Sequence, residues 1–210
     1  MKNNVLIILC VGIMMFCFCS CSRKNEIIDP ISEYELYLID GISDDISIVN
    51  AEFDETNHAL ALTIEISDDS EDSISDCVRT IAKRSDSFLS SHYDYVLNDG
   101  YMINIFFKEE SKSDSVPGNT ICRLSNFNHK GLLNSFSSLS IDDSAIVNEF
   151  IIRFSDFSDI NCSIFTDEQV KQVCETWVNL KTVVIDTQTR ADSFSEAYPK
   201  IEFLAVRDDE

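Results

Sequence analysis

The chain is poor in the residues that most catalytic sites are built from. Glycine occurs only five times in 210 residues, which leaves little material for phosphate-cradling loops. There is no GxSxG nucleophile turn and no HExxH zinc helix. Histidine occurs three times, so only His58, His92 and His129 could act as side-chain bases near neutral pH. His58 falls in a hairpin turn, His92 near a helix end and His129 in an Asn-rich turn, so each reads as a surface histidine. No pair of cysteines has the close spacing of a metal or redox motif. Basic residues are also scarce, 16 Lys and Arg against 37 Asp and Glu, giving a formal net charge of −21. A surface this acidic repels phosphates and anionic lipid headgroups, which excludes nucleic acid as a partner. No cofactor, metal or catalytic residue is assigned, and the chain is read as a non-enzyme.

What the chain does have begins at its N-terminus. Lys2 precedes the apolar stretch Val5 to Phe18, which is shorter than the roughly 20 residues that cross a bilayer. Small Ser20 then stands directly before Cys21, in the run Phe18-Cys19-Ser20-Cys21. A charged start, a short apolar run and a small-residue exit make an export signal. These residues resemble the signal and lipobox of bacterial lipoproteins, with Phe18 and Cys19 in place of the commoner Leu and Ala or Ser. The resemblance covers the signal alone. It implies cleavage before Cys21, a diacylglyceryl group on its thiol, and a protein anchored at the cell membrane or outer membrane, facing away from the cytoplasm. Residues 1–20 are then the signal and residues 21–30 a tether. At about 3.3–3.6 Å per residue the stretch Ser22 to Pro30 reaches no more than roughly 30 Å.

The remainder is long enough to bury a core without covalent staples. Four cysteines follow Cys21: Cys77, Cys122, Cys162 and Cys174. Export makes disulfides conceivable, whereas Cys77 and Cys174 on apolar helix stripes and Cys122 in a strand-like run suit buried thiols.

The periodicity predicts an α+β fold made by tandem duplication of a strand-hairpin-helix-strand unit. The sheet is expected to be mostly antiparallel, with two helices on one face. In the first unit, residues 31–110, Tyr34, Leu36 and Leu38 alternate as a strand. Ile46 to Phe53 and Leu60 to Ile66 form a hairpin through Asp54-Glu55-Thr56-Asn57-His58. Ile74, Cys77, Val78, Ile81, Phe88 and Leu89 recur at helical spacing, and Tyr101, Ile103, Ile105 and Phe107 alternate as a closing strand. Residues 111–118, with Pro117-Gly118, read as a linker. In the second unit, residues 119–210, strands are expected at Cys122 to Phe127, at Phe136 to Ile141 and over Phe150, Ile152 and Phe154. A helix is expected from the capping box Thr166-Asp167-Glu168-Gln169 through Trp177 to Ile185, and a strand over Ile201 to Val206.

The acidic run Asp68 to Asp72 lacks the alternating ligands and sixth-position glycine of a calcium loop, and fits the start of a helix. Tyr93, Tyr95 and Tyr101 cluster around a turn and could form an aromatic patch. Three functions follow from these features. The first is a lipid-anchored, extracytoplasmic binding or structural module. The second is an inhibitor or immunity-type lipoprotein that covers a basic hydrolase or toxin. The third is an enzyme with an unrecognised carboxylate site. The expected partners are the membrane, through the lipid, and a basic extracytoplasmic protein. Cys21→Ser is expected to abolish lipid labelling and either release the protein or leave its precursor in the membrane. Unchanged labelling in that variant would refute the assignment of Cys21.

Overall fold

The computed structural model describes residues 30–40, 46–54, 56–67, 70–91, 102–111 and 118–206. The signal, Cys21, residues 92–101 with His92, Tyr93, Tyr95 and Tyr101, Asp68 and Asp69 of the acidic run, and residues 112–117 of the expected linker lie outside the described residues.

The fold is α+β. Helix α1 (Pro30–Ile39) is followed by strands β1 (Ile46–Asp54) and β2 (Ala59–Ile66), helix α2 (Glu71–Ser91), and strands β3 (Met102–Glu109), β4 (Thr120–Phe127) and β5 (Leu133–Ile141). Three helix–strand pairs complete it: α3 (Val147–Arg153) with β6 (Asp159–Asn161), α4 (Asp167–Thr176) with β7 (Thr182–Ile185), and α5 (Gln188–Ala197) with β8 (Glu202–Ala205). The eight strands form one sheet in the order β1-β2-β3-β4-β5-β6-β7-β8. Among β1 to β5 the pairing is antiparallel except between β2 and β3, and from β5 to β8 every pair is parallel.

The β1–β2 and β4–β5 hairpins come from local turn chemistry. At the first, Asp54 Oδ1 accepts the backbone N–H groups of Thr56 (2.9 Å) and Asn57 (3.1 Å), an Asx-type turn. His58 adopts φ 50, and its carbonyl accepts the Met102 N–H at 2.8 Å, which joins the turn to β3. At the second, Asn128 Oδ1 accepts from Lys130 N (2.9 Å) and Leu132 N (3.1 Å), and Gly131 takes φ 74, where a side chain would be strained.

One apolar row crosses the sheet in register: Leu62, Ile105, Leu124, Leu139, Ile160, Val183 and Phe203. All seven are buried, and the helices cover them. Adjacent helices are tied in sequence. Tyr34 donates to Ser85 between α1 and α2 (2.8 Å), and Arg153 bridges to Asp76 (2.8 Å) and Asp72 (3.0 Å) between α3 and α2. Trp177 Nε1–H donates to the Ile151 carbonyl (2.9 Å), and Arg190 on α5 reaches Asp167 on α4 (2.7 Å).

The order hairpin, helix, parallel strand occurs twice, as β1-β2-α2-β3 and β4-β5-α3-β6. The helix of the second copy is α3, however, and not the segment from Thr166 to Ile185. Three expected elements are corrected accordingly. Tyr34 to Leu38 is helical, because Tyr34 and Leu38 are buried one turn apart while Leu36 is 63% exposed. Phe150, Ile152 and Phe154 lie in or beside a helix, because Val147, Phe150, Ile151 and Phe154 are buried at spacings of three and four while Ile152 is 66% exposed. The helix from Thr166 keeps its capping box, with Gln169 N donating to Thr166 Oγ1 at 3.3 Å. It ends at Trp177, and the β-branched run Thr182-Val183-Val184-Ile185 is a fully buried strand.

Gly118 has a role that a linker residue does not have. A Cβ there would sit 1.7 Å from the Glu109 carbonyl oxygen, and the neighbouring Asn119 carbonyl accepts the Glu109 N–H at 3.0 Å. Gly118→Ala must push β4 away from β3. The expected cost is about 1–3 kcal/mol in a denaturant titration, and a variant of unchanged midpoint would show that this approach is not required.

Candidate functional site: the polar face of the sheet

Strand residues alternate between two faces, so the row next to the apolar one faces away from the helices. That row is Asn104, Ser125, Ser138, Asp159, Thr182 and Glu202, in register across β3 to β8. A second row, Phe106, Arg123, Ser140, Asn161, Val184 and Leu204, runs beside it. Among the described residues no helix packs on this face, yet Ser125, Ser138, Ser140, Asp159, Thr182 and Val184 on it are all buried; the accessible part is its β8 edge at Glu202.

The face is internally hydrogen-bonded. Ser125 Oγ–H donates to Asn104 Oδ1 at 2.7 Å. Asp159, only 2% exposed, accepts from the Ser158 hydroxyl, and Ser158 Oγ lies 3.0 Å from Ser137 Oγ. A serine that donates straight to a carboxylate has no imidazole between them to take its proton, so this pair clamps β6 to β5 and is not an activated nucleophile.

The β4–β5 loop leans over the face. Lys130 Nζ is 2.6 Å from Glu202 Oε1, joining the loop to the last strand. Both side chains are largely exposed, so the bridge is worth only about 0–1 kcal/mol. His129, beside Lys130, lies within electrostatic reach of Arg123 and Asp159. Desolvation lowers its pKa below 6.5, Arg123 lowers it further and Asp159 opposes them. Asp142, at the far end of β5, is raised by burial and partly restored by Arg123.

The residues singled out by sequence fall elsewhere or take structural parts. His58 is a turn residue whose carbonyl joins β3. Asp72, from the acidic run, pairs with Arg153 at the start of α2. Trp177 is core and closes α4. Of the two histidines among the described residues, His129 is the one that interacts with charges of this face, Arg123 and Asp159. No group of three or more His, Cys, Asp or Glu among the described residues is placed to hold a metal. The contacts of Lys130 with Glu202 and of Ser158 with Asp159 had no sequence signal as a site, because each partner looks like an ordinary loop or strand residue until the register is known.

No known protein family matches the chain, and no curated protein or solved structure matches it either.

Because the folded state lowers the pKa of His129, neutral His129 contributes stability that is present above pH 6.5. That contribution is lost as the pH falls through the folded value. Acidification from pH 7 should therefore loosen the loop. Melting temperature against pH, compared with His129→Gln, should show a steeper acid decline in the unmodified protein below pH 6.5. Parallel curves would contradict the assignment.

Proposed function

We propose that the protein is a lipid-anchored extracytoplasmic binding module whose polar sheet face receives a basic partner. The observation that carries this reading is the position of Lys130. A basic side chain of the chain itself lies on Glu202 at the exposed β8 edge of that face, through a weak bridge that a partner's Lys or Arg could replace at little cost. The net charge of −21 supports a basic partner by attracting it over a distance. The lipobox at Cys21 supports an anchor, and the short tether keeps the domain near the bilayer. Among the described residues no helix is long and apolar enough to cross a membrane.

The partner chemistry leaves one variant of this reading, an inhibitor or immunity-type lipoprotein acting on a basic hydrolase or toxin. The exposed Glu202 edge supports it equally. The carboxylate-enzyme reading draws no support from the face, where Asp159 is engaged by Ser158 and Glu202 by Lys130.

The test is capture of exported proteins by soluble residues 22–210 at low and high salt. A basic partner should bind at low salt and weaken strongly above physiological ionic strength, where screening acts within about 8 Å. Glu202→Lys should reduce capture by about tenfold, equivalent to about 1.4 kcal/mol. Loss of a captured hydrolase's activity would select the inhibitor variant. Salt-insensitive capture untouched by Glu202→Lys would reject the proposed face. Turnover abolished by a single Asp or Glu substitution would replace the binding reading with an enzyme.

A further inference from the structure

The four cysteines beyond the acylation position are free thiols, three of them buried and Cys174 half-buried. Cys77 lies on the inward side of α2, with Ile74, Val78 and Ile81. Cys122 lies on β4 in register with Phe107 and Ile141, on the apolar side of the sheet. α2 packs against β5, the strand beside β4. The two thiols therefore enter the same helix–sheet interface, 6% and 0% exposed. Of the other two, Cys162 directly follows β6, and its N–H donates to the Val184 carbonyl at 2.7 Å. Cys174 is on α4, next to buried Val173, and is itself half-buried. α4 starts from the turn that Cys162 opens, where its carbonyl accepts the Phe165 N–H at 3.0 Å.

Electrostatics support the same pairing. Burial raises all four thiols, to about 12 for Cys77 and Cys174. Beyond burial, a charge on Cys77 raises Cys122, and a charge on Cys174 raises Cys162.

We propose that these are two disulfide positions, Cys77–Cys122 and Cys162–Cys174, which close when the protein folds in an oxidising compartment. Closure in the cell rests on the export reading; the pairing itself does not. Each bridge forms by two exchanges with a disulfide oxidant, such as glutathione disulfide or an oxidoreductase. One cysteine thiolate attacks the oxidant's S–S bond, giving a mixed disulfide and releasing one thiolate. The paired thiolate then attacks the protein sulfur of the mixed disulfide and releases the second. The cysteines lose two protons and two electrons, and the oxidant becomes two thiols. Cys174, the more accessible thiol, is the entry point and Cys162 the resolving one. Cys77 and Cys122 are sealed in the core, so their bridge closes before the helix layer settles on the sheet.

The test uses the full chain extracted from membranes in detergent, with free thiols alkylated at lysis and peptides mapped without reduction. Peptides linking Cys77 to Cys122 and Cys162 to Cys174 are expected, with none crossing between pairs. A second arm unfolds and reduces the same protein, refolds it in a glutathione redox buffer, and maps it again. The same two links should return, and Cys174→Ala should leave Cys162 titratable while Cys77–Cys122 still forms. Reduced thiols in the cell with both links formed on refolding would support the pairing and overturn the export reading. Cross-pairs, or four titratable thiols after refolding, would overturn the proposal.

Discussion

The structure depends on the register that carries one apolar row from β2 to β8. Leu62, Ile105, Leu124, Leu139, Ile160, Val183 and Phe203 are neighbours in the sheet although they span most of the chain. Each large side chain buried there contributes about 1.5–3 kcal/mol. Because strand side chains alternate, slipping one strand by one residue would turn its apolar set to the polar face. It would also drive a group such as Asp159 or Arg123 into the helix layer, where an unpaired charge is costly. The same constraint therefore fixes both the core and the polar surface.

The helices do not repeat the register; they lock it. Arg153 joins α3 to two aspartates of α2, and Arg79 of α2 reaches Asp156 beyond α3 while lying 5.5 Å from the Phe154 ring centre. Such exposed pairs contribute little singly; they join α2 to α3 and α4 to α5, while buried hydrogen bonds from Tyr34 and Trp177 join α1 to α2 and α3 to α4. Buried ties are fewer and more demanding. Asp86 of α2 accepts the Phe136 N–H at 2.8 Å, where β5 is irregular, and Asn126 accepts the Ile103 N–H at 2.7 Å beside the bulge in β4. Each satisfies a backbone donor that the ladder leaves unpaired, and each would cost about 1–3 kcal/mol to orphan.

On the opposite side, the polar rows are hydrogen-bonded among themselves and bridged by a loop through one exposed ion pair. The two faces therefore differ: the apolar one is covered by helices, and the polar one carries a loop bridge at its β8 edge. The acidic excess adds long-range attraction for cations without specifying where they land.

Residues alone determined the elements whose period was unambiguous. The hairpin of β1 and β2, the long helix α2, strands β3 to β5 and the capped start of α4 all follow from alternation, helical spacing and the side-chain chemistry of Asp54 and Thr166. Short segments were different, because a few apolar residues fit both periods. Val147 to Phe154 contains a strand pattern and a helix pattern, and only packing against α2 and α4 selected the helix. α5 buries just Ala191 among its own residues, so it carried little periodic signal beyond Thr187 as its cap. The polar face was illegible for a related reason. Lys130 meets Glu202, and Cys77 comes to the same interface as Cys122, only after strands distant in sequence have paired. Local composition sets which residues face inward or outward, whereas register and crossover decide which of them meet.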